Sequence, residues 1–184
     1  MSLLTDLKQR LYRRRRQAAS VPPARSQPGQ APLNLETARE IIILFPADSA
    51  DERKVVDKWK DNHRVVRGKI RLYGYFSTDI GGSDFGCEAI TVKDLNWYGI
   101  PGGEAVNHFQ ADACDLLIRL GPPEHPVLDY LAATKAAGLR IGPFLPAGGT
   151  PYNLQFDGQR NTAFQQQLAA IEQIFSFTNA TATT

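Results

Sequence analysis

Ile41-Ile42-Ile43-Leu44-Phe45 is a run of five apolar residues with no polar alternation. A strand with one face in water alternates apolar and polar residues. An unbroken run belongs to a strand buried on both faces, and such strands sit in parallel sheets covered by helices. The run stops at Pro46, and Ser49-Ala50-Asp51-Glu52 opens a helix with a capping box, its inward face marked by Val55, Val56 and Trp59. The same alternation continues. Ile70–Phe76, Glu88–Val92, Asp115–Leu120, Arg140–Phe144 and Tyr152–Phe156 read as strands. Pro126 sits in the first turn of a helix over Val127–Ala137 that Gly138 ends at its C′ position. Asn161 caps a last helix carrying Phe164, Leu168, Ile171 and Phe175 on one face. Strands alternating with single helices predict an α/β, three-layer fold, Rossmann-like or flavodoxin-like, with a mostly parallel sheet and helices on both faces.

The sequence ahead of that domain has a different composition. Residues 1–33 hold seven Lys/Arg against Asp6 alone, a formal +6, whereas residues 34–184 hold fourteen Lys/Arg against eighteen Asp/Glu, a formal −4. The net +2 therefore hides a cationic arm on a mildly acidic globule, which points to a polyanionic partner. Leu3, Leu4, Leu7 and Leu11 fall on one helical stripe, with Ser2 available as N-cap and Arg13–Arg16 in the last turns, where cations suit the helix dipole. A helix this short is marginal alone, so it is expected to fold on a partner or dock on its own domain. The predicted organisation is a basic amphipathic helix over residues 1–19, a disordered Pro/Ser/Gln linker over 20–33, one α/β domain over 34–178 and a frayed tail over 179–184.

Several function classes find no support. Phe45-Pro46-Ala47-Asp48-Ser49 stands where a phosphate-binding turn would carry glycines; it has none, and Asp48 is negative, so Asp48 and Ser49 read as helix caps. Asp84-Phe85-Gly86 lacks every companion motif of a kinase. Ser49, Ser77 and Ser83 have no nucleophile-elbow context. His63, His108 and His125 show no metal-ligand spacing; His63 reads as a helix end, and His125 beside Glu124 reads as a loop residue on the strand-end rim. The reading therefore assigns no catalytic residue, no metal and no cofactor, and leans away from an enzyme. Cys87 and Cys114 lie far apart and read as free buried thiols in a reducing compartment. No apolar run approaches the ~18–20 residues of a membrane span. The leucines precede the arginines, the reverse of a secretory signal, and the chain is taken as cytoplasmic; the Arg-rich head also has the composition of a transit peptide.

Lys93-Asp94-Leu95-Asn96-Trp97-Tyr98-Gly99-Ile100-Pro101 is the most distinctive stretch of the globule. Asn96, Trp97 and Tyr98 form a candidate partner or stacking surface; the plainer reading is an irregular connection pinned into the core by Trp97. Together with Ile41–Phe45, Asp115-Leu116-Leu117-Ile118 and Arg140-Ile141-Gly142-Pro143, the Asp94–Pro101 segment resembles an uncharacterised family of small Rossmann-like α/β proteins from Bacteroidota. The resemblance covers roughly residues 35–178. It implies the fold and a cytoplasmic setting, and no catalytic residues. Asp115–Gly142 is more faintly similar to part of a Rossmann domain in two-domain glycosyltransferases, which bears on fold more than on activity.

The leading functional expectation is a non-enzymatic RNA-associated protein, ribosome-bound through Lys8, Arg10, Arg13, Arg14, Arg15 and Arg16. The alternative is an adaptor using the same arm on an anionic membrane surface or a protein. A third reading is a nucleotide or phosphosugar site on the strand-end rim, using Asp48, His125 and the Gly148-Gly149 turn.

Overall fold

In the computed structural model, residues 3–20, 33–63, 69–81, 84–145 and 150–180 are described. The linker expected over 20–33 therefore lies almost wholly outside the described residues, as do Ser2, Ser83, the Gly148-Gly149 turn and residues 181–184. Six strands, β1 (Glu40–Pro46), β2 (Lys69–Phe76), β3 (Glu88–Thr91), β4 (Leu116–Arg119), β5 (Leu139–Pro143) and β6 (Leu154–Phe156), form one sheet in the order β3-β2-β1-β4-β5-β6. Every pairing is parallel. The order reverses between β1 and β4, which is the doubly wound Rossmann arrangement.

The helices are α1 (Leu3–Ala19), α2 (Ala50–Asn62), α3 (Gly103–Ala111), α4 (Pro126–Thr134) and α5 (Phe164–Ala180). The two-residue period of the strands divides the core. Ile41, Ile43, Phe45, Leu116, Ile118 and Ile141 face α2 and α5, meeting Val56, Trp59, Phe164, Leu168 and Ile171. Ile42, Leu44, Tyr73, Tyr75 and Leu117 face α3 and α4, meeting Val106, Phe109, Leu128 and Leu131. Both faces of β1 are thereby covered, as its unbroken apolar run demands.

Local chemistry corrects four of the expected details. Ser49 accepts the Glu52 N–H and caps α2 as expected, but Asp48 does not cap; its Oδ1 accepts the Ser77 N–H at 2.9 Å and ties the ends of β1 and β2 together. Helix α4 stops at Thr134, short of Gly138, because Lys135 turns inward. Its fully buried ammonium donates to the carbonyls of Phe109, Gln110 and Asp112 at the C-terminus of α3, where a cation is favoured. Asn161 does not cap α5, which begins at Phe164 with the Gln166 and Gln167 amides on the Ala163 carbonyl. Cys87 and Cys114 are free thiols, half-buried rather than buried, and burial pushes the Cys114 thiol up to about 12. His63 ends α2 as expected and stacks on Trp59 at 3.9 Å.

Candidate nucleic-acid interface

Helix α1 packs on α4. Tyr12 makes the joint: its hydroxyl donates to the Pro126 carbonyl, and its ring lies 6.1 Å from that of Tyr130. Burial pushes the Tyr12 phenol up to about 12, against the lowering pull of Arg16, whose guanidinium bonds it. At the far end Ser20 Oγ donates to the Arg16 carbonyl at 2.7 Å, satisfying one of the last carbonyls of the helix. The docking face centres on Tyr12 rather than on the whole leucine stripe: Leu11 is half-buried but Leu7 is 48% exposed. Lys8, Arg10, Arg13, Arg14 and Arg15 are exposed, and Arg16 is half-buried.

The Asn96–Pro101 segment is a built turn. Asn96 Oδ1 accepts the amides of Tyr98 at 3.1 Å and Ile100 at 3.0 Å, an Asx-type closure. The Asn96 N–H donates to the Ile100 carbonyl at 3.0 Å, and Gly99, at φ 86°, returns its N–H to the Asn96 carbonyl. Upstream, Asp94 Oδ2 accepts both the amide and the hydroxyl of Thr91, and the Asp94 carbonyl accepts the Gly102 amide. Ile100 and Pro101 go inward. The Trp97 side chain does not pin the segment into the core: it is 62% exposed, with Tyr98 edge-on at 4.9 Å. Ile100 supplies the anchor that the sequence reading gave to the indole.

Burial raises the Tyr130 phenol, which feels both the cation of Arg15 and the phenol of Tyr98. The ring contacts here are two separate pairs, Tyr12 with Tyr130 and Trp97 with Tyr98.

The strand-end rim has a different character. Arg119, with no exposed surface, sets Nη2 at 3.1 Å from Asp129 Oδ1 and donates from Nη1 to the Pro122 carbonyl at 2.5 Å. The Tyr152 hydroxyl donates to the same Asp129 oxygen at 2.9 Å. His125 Nδ1 accepts the Leu128 amide and caps α4; burial, then Arg119, lowers its pKa. Gln167 of α5 clamps Gly121, accepting its amide at 2.8 Å and donating to its carbonyl at 3.3 Å. At the reversal of strand order, where such folds open a ligand crevice, these side chains bond to one another. An open cleft of about 380 Å³ lies elsewhere, between β3 and α3, lined by Tyr73, Glu88, Asp94, Glu104 and His108. Its acidic lining opposes an anionic ligand. Among the described residues no group of three or more His, Cys, Asp or Glu is placed to hold a metal ion, and no helix is long and apolar enough to cross a membrane.

The buried Arg119–Asp129–Tyr152 set was not singled out in the sequence, although a signal existed. An arginine inside the apolar run Leu116–Leu120 needs a buried acid, and Asp129 on the next helix is that acid.

Compared with known proteins, the chain matches no curated protein and no solved structure. The sequence model of a family of unknown function (DUF6913) matches residues 12–173, and the chain belongs to that family. The matched stretch starts at Tyr12, so it includes the docking tyrosine and Arg13–Arg16 as well as the Asn96–Pro101 turn.

Proposed function

We propose that this member of the family is a non-enzymatic, cytoplasmic RNA-associated protein that attaches to a structured RNA assembly, the ribosome first among them, through α1. The observation that carries this reading is the docking of α1 by Tyr12, which leaves Arg13, Arg14 and Arg15 exposed around the free side of the helix. Adjacent arginines repel one another, and a helix that holds them in water gains from phosphate neutralisation. Because the helix is already seated on α4, binding RNA does not have to meet the whole entropy of folding the arm. The mildly acidic domain would meet RNA poorly elsewhere, so the arm also sets the orientation.

The test is co-sedimentation with ribosomes at low and high salt, comparing the parent with an Arg13→Gln/Arg14→Gln/Arg15→Gln variant that keeps Tyr12. The parent is expected to pellet at low salt and leave at high salt, and the variant to stay in the supernatant. Equal pelleting of both proteins removes the arm from the account.

Leu7, 48% exposed on the same helix, favours a second reading, an adaptor on an anionic membrane or a protein. Flotation of the parent with anionic liposomes after nuclease treatment supports that reading instead.

A further inference from the structure

Strand β3 is an edge of the sheet. Its one strand partner among the described residues is β2, in a parallel register that sets Tyr73 beside Glu88 and Phe76 beside Thr91. A sheet edge carries backbone N–H and C=O groups without partners, a template for one more strand. Among the described residues, no turn or loop backbone bonds to the main chain of Glu88, Ala89 or Ile90. The strand is nonetheless held firmly from within. Ile90 has no exposed surface and packs in the layer of Val106 and Phe109, and Asp94 Oδ2 fixes the Thr91 amide at 2.7 Å. An edge already ordered loses little freedom when a strand is added to it.

Helix α3 lies alongside β3, and the cleft of about 380 Å³ opens between them. That volume is within the usual range of ligand pockets, about 300–1,000 Å³. An edge strand with a helix beside it is a geometry that accepts extended peptides: main-chain hydrogen bonds hold the peptide, and alternate side chains enter the groove. The lining decides which side chains those are. Ala89 and Ala105 are small and apolar, whereas Glu88, Asp94 and Glu104 bring carboxylates to the cleft. Glu88 and Glu104 are exposed, and neither pairs with a cation among the described residues.

We infer that β3 and α3 form a docking groove for an extended basic segment of a protein partner, which adds as a strand beside β3 and sets alternate Lys or Arg side chains against Glu88, Asp94 and Glu104. The same carboxylates repel a nucleic acid. They also disfavour a second copy, because pairing β3 with itself brings Glu88 towards its own counterpart, and like charges facing each other across strands are destabilising. No arginine of α1 takes part, so the groove stands or falls independently of the RNA reading.

The test is fluorescence anisotropy of the full-length protein with three labelled hexapeptides. One alternates Lys and Val, one alternates Glu and Val, and the third is the Lys/Val peptide N-methylated at alternate amides on its pairing edge. The Lys/Val peptide is expected to bind and the Glu/Val peptide to fail. N-methylation removes ladder hydrogen bonds and keeps the charge, so it is expected to weaken binding by about tenfold or more. Glu88→Gln/Glu104→Gln is expected to weaken the Lys/Val peptide by about 5- to 30-fold. Both positions are exposed, so its thermal unfolding should match the parent's, and a Glu104→Gln single variant serves as a second check with a smaller loss. Hydrogen exchange of the β3 amides should slow when the Lys/Val peptide is bound. Equal binding of the N-methylated peptide would reduce the effect to general charge attraction and overturn the groove. Undiminished binding by the double variant, no binding by the parent, or a dimer of the chain that protects the β3 amides without peptide would overturn it as well.

Discussion

Replacing Tyr12 by Ala should release α1 from the domain without unfolding the domain. The substitution removes the ring contact with Tyr130 at 6.1 Å and the hydrogen bond to the Pro126 carbonyl. An aromatic pair contributes about 0.5–1.5 kcal/mol beyond burial, and a hydrogen bond about 1 kcal/mol, together about 2 kcal/mol. At about 1.4 kcal/mol per factor of ten, docking weakens by roughly 30-fold. Helix α1 has 17 residues, close to the length at which isolated helices are marginal in water, so its amide protection comes mostly from docking. Hydrogen exchange followed by mass spectrometry reads this directly. Amides of residues 3–19 should exchange about 30-fold faster in Tyr12→Ala and about fivefold faster in Tyr12→Phe, which loses only the hydroxyl. Exchange in β1 and β4 should not change. Unchanged exchange in α1, or acceleration spread evenly over the sheet, refutes the claim that Tyr12 seats the arm.

Other perturbations probe the rest of the architecture. Asp129→Asn leaves Arg119 buried without its counter-charge and should cost about 3–5 kcal/mol in urea unfolding; a loss under about 1 kcal/mol contradicts the network. Trp97→Ala should change stability by less than about 0.5 kcal/mol and Trp59→Ala lower it by about 3–5 kcal/mol, measured by calorimetry, because only Trp59 is buried. A Cβ on Gly142 would lie 2.5 Å from the Tyr152 ring, so Gly142→Ala should destabilise by about 1–3 kcal/mol in the same assay. The His125 imidazole is held below its ordinary 6.5 by burial and by Arg119. The unfolded chain therefore takes up this proton first, and stability falls as pH drops below 6.5 until the folded-state pKa is passed. His125→Asn keeps a capping acceptor without the titration, so unfolding followed from pH 7 to 5 should give a flatter curve; superimposable curves contradict the assignment.

The sheet was legible because Ile41–Phe45, Leu116–Ile118 and Ile141 have no polar phase, and a strand without a polar face has few places to go. The strand order was not legible, since periodicity says what faces a helix and nothing about which strand is the neighbour. Lys135 and Asn161 misled because helix ends are settled by whichever partner satisfies the last carbonyls or first amides. Lys135 found the C-terminus of α3, an element that is distant in sequence. Trp97 misled for a related reason: apolar area argues for burial, but the Asn96 side chain and Gly99 close the turn with the indole outside. The Asn-x-x-Gly spacing carried that signal. The arginine row was visible from the start. The place where α1 docks was not, because it depends on the contact of Tyr12 with Pro126 and Tyr130, far along the chain.

The salt dependence of RNA binding tests the central claim most directly. Single-stranded RNA binding constants for the parent and for Arg13→Gln/Arg14→Gln/Arg15→Gln would be measured across a series of salt concentrations. Each phosphate neutralised on a single strand contributes about −0.7 to the slope of log K against log salt, so loss of three contacts should flatten the slope by about 2. A parent line steeper by that amount, with the two lines converging at high salt, is the predicted result. Parallel lines would mean that the exposed arginines of α1 do not touch phosphate, and the account would be wrong at its centre.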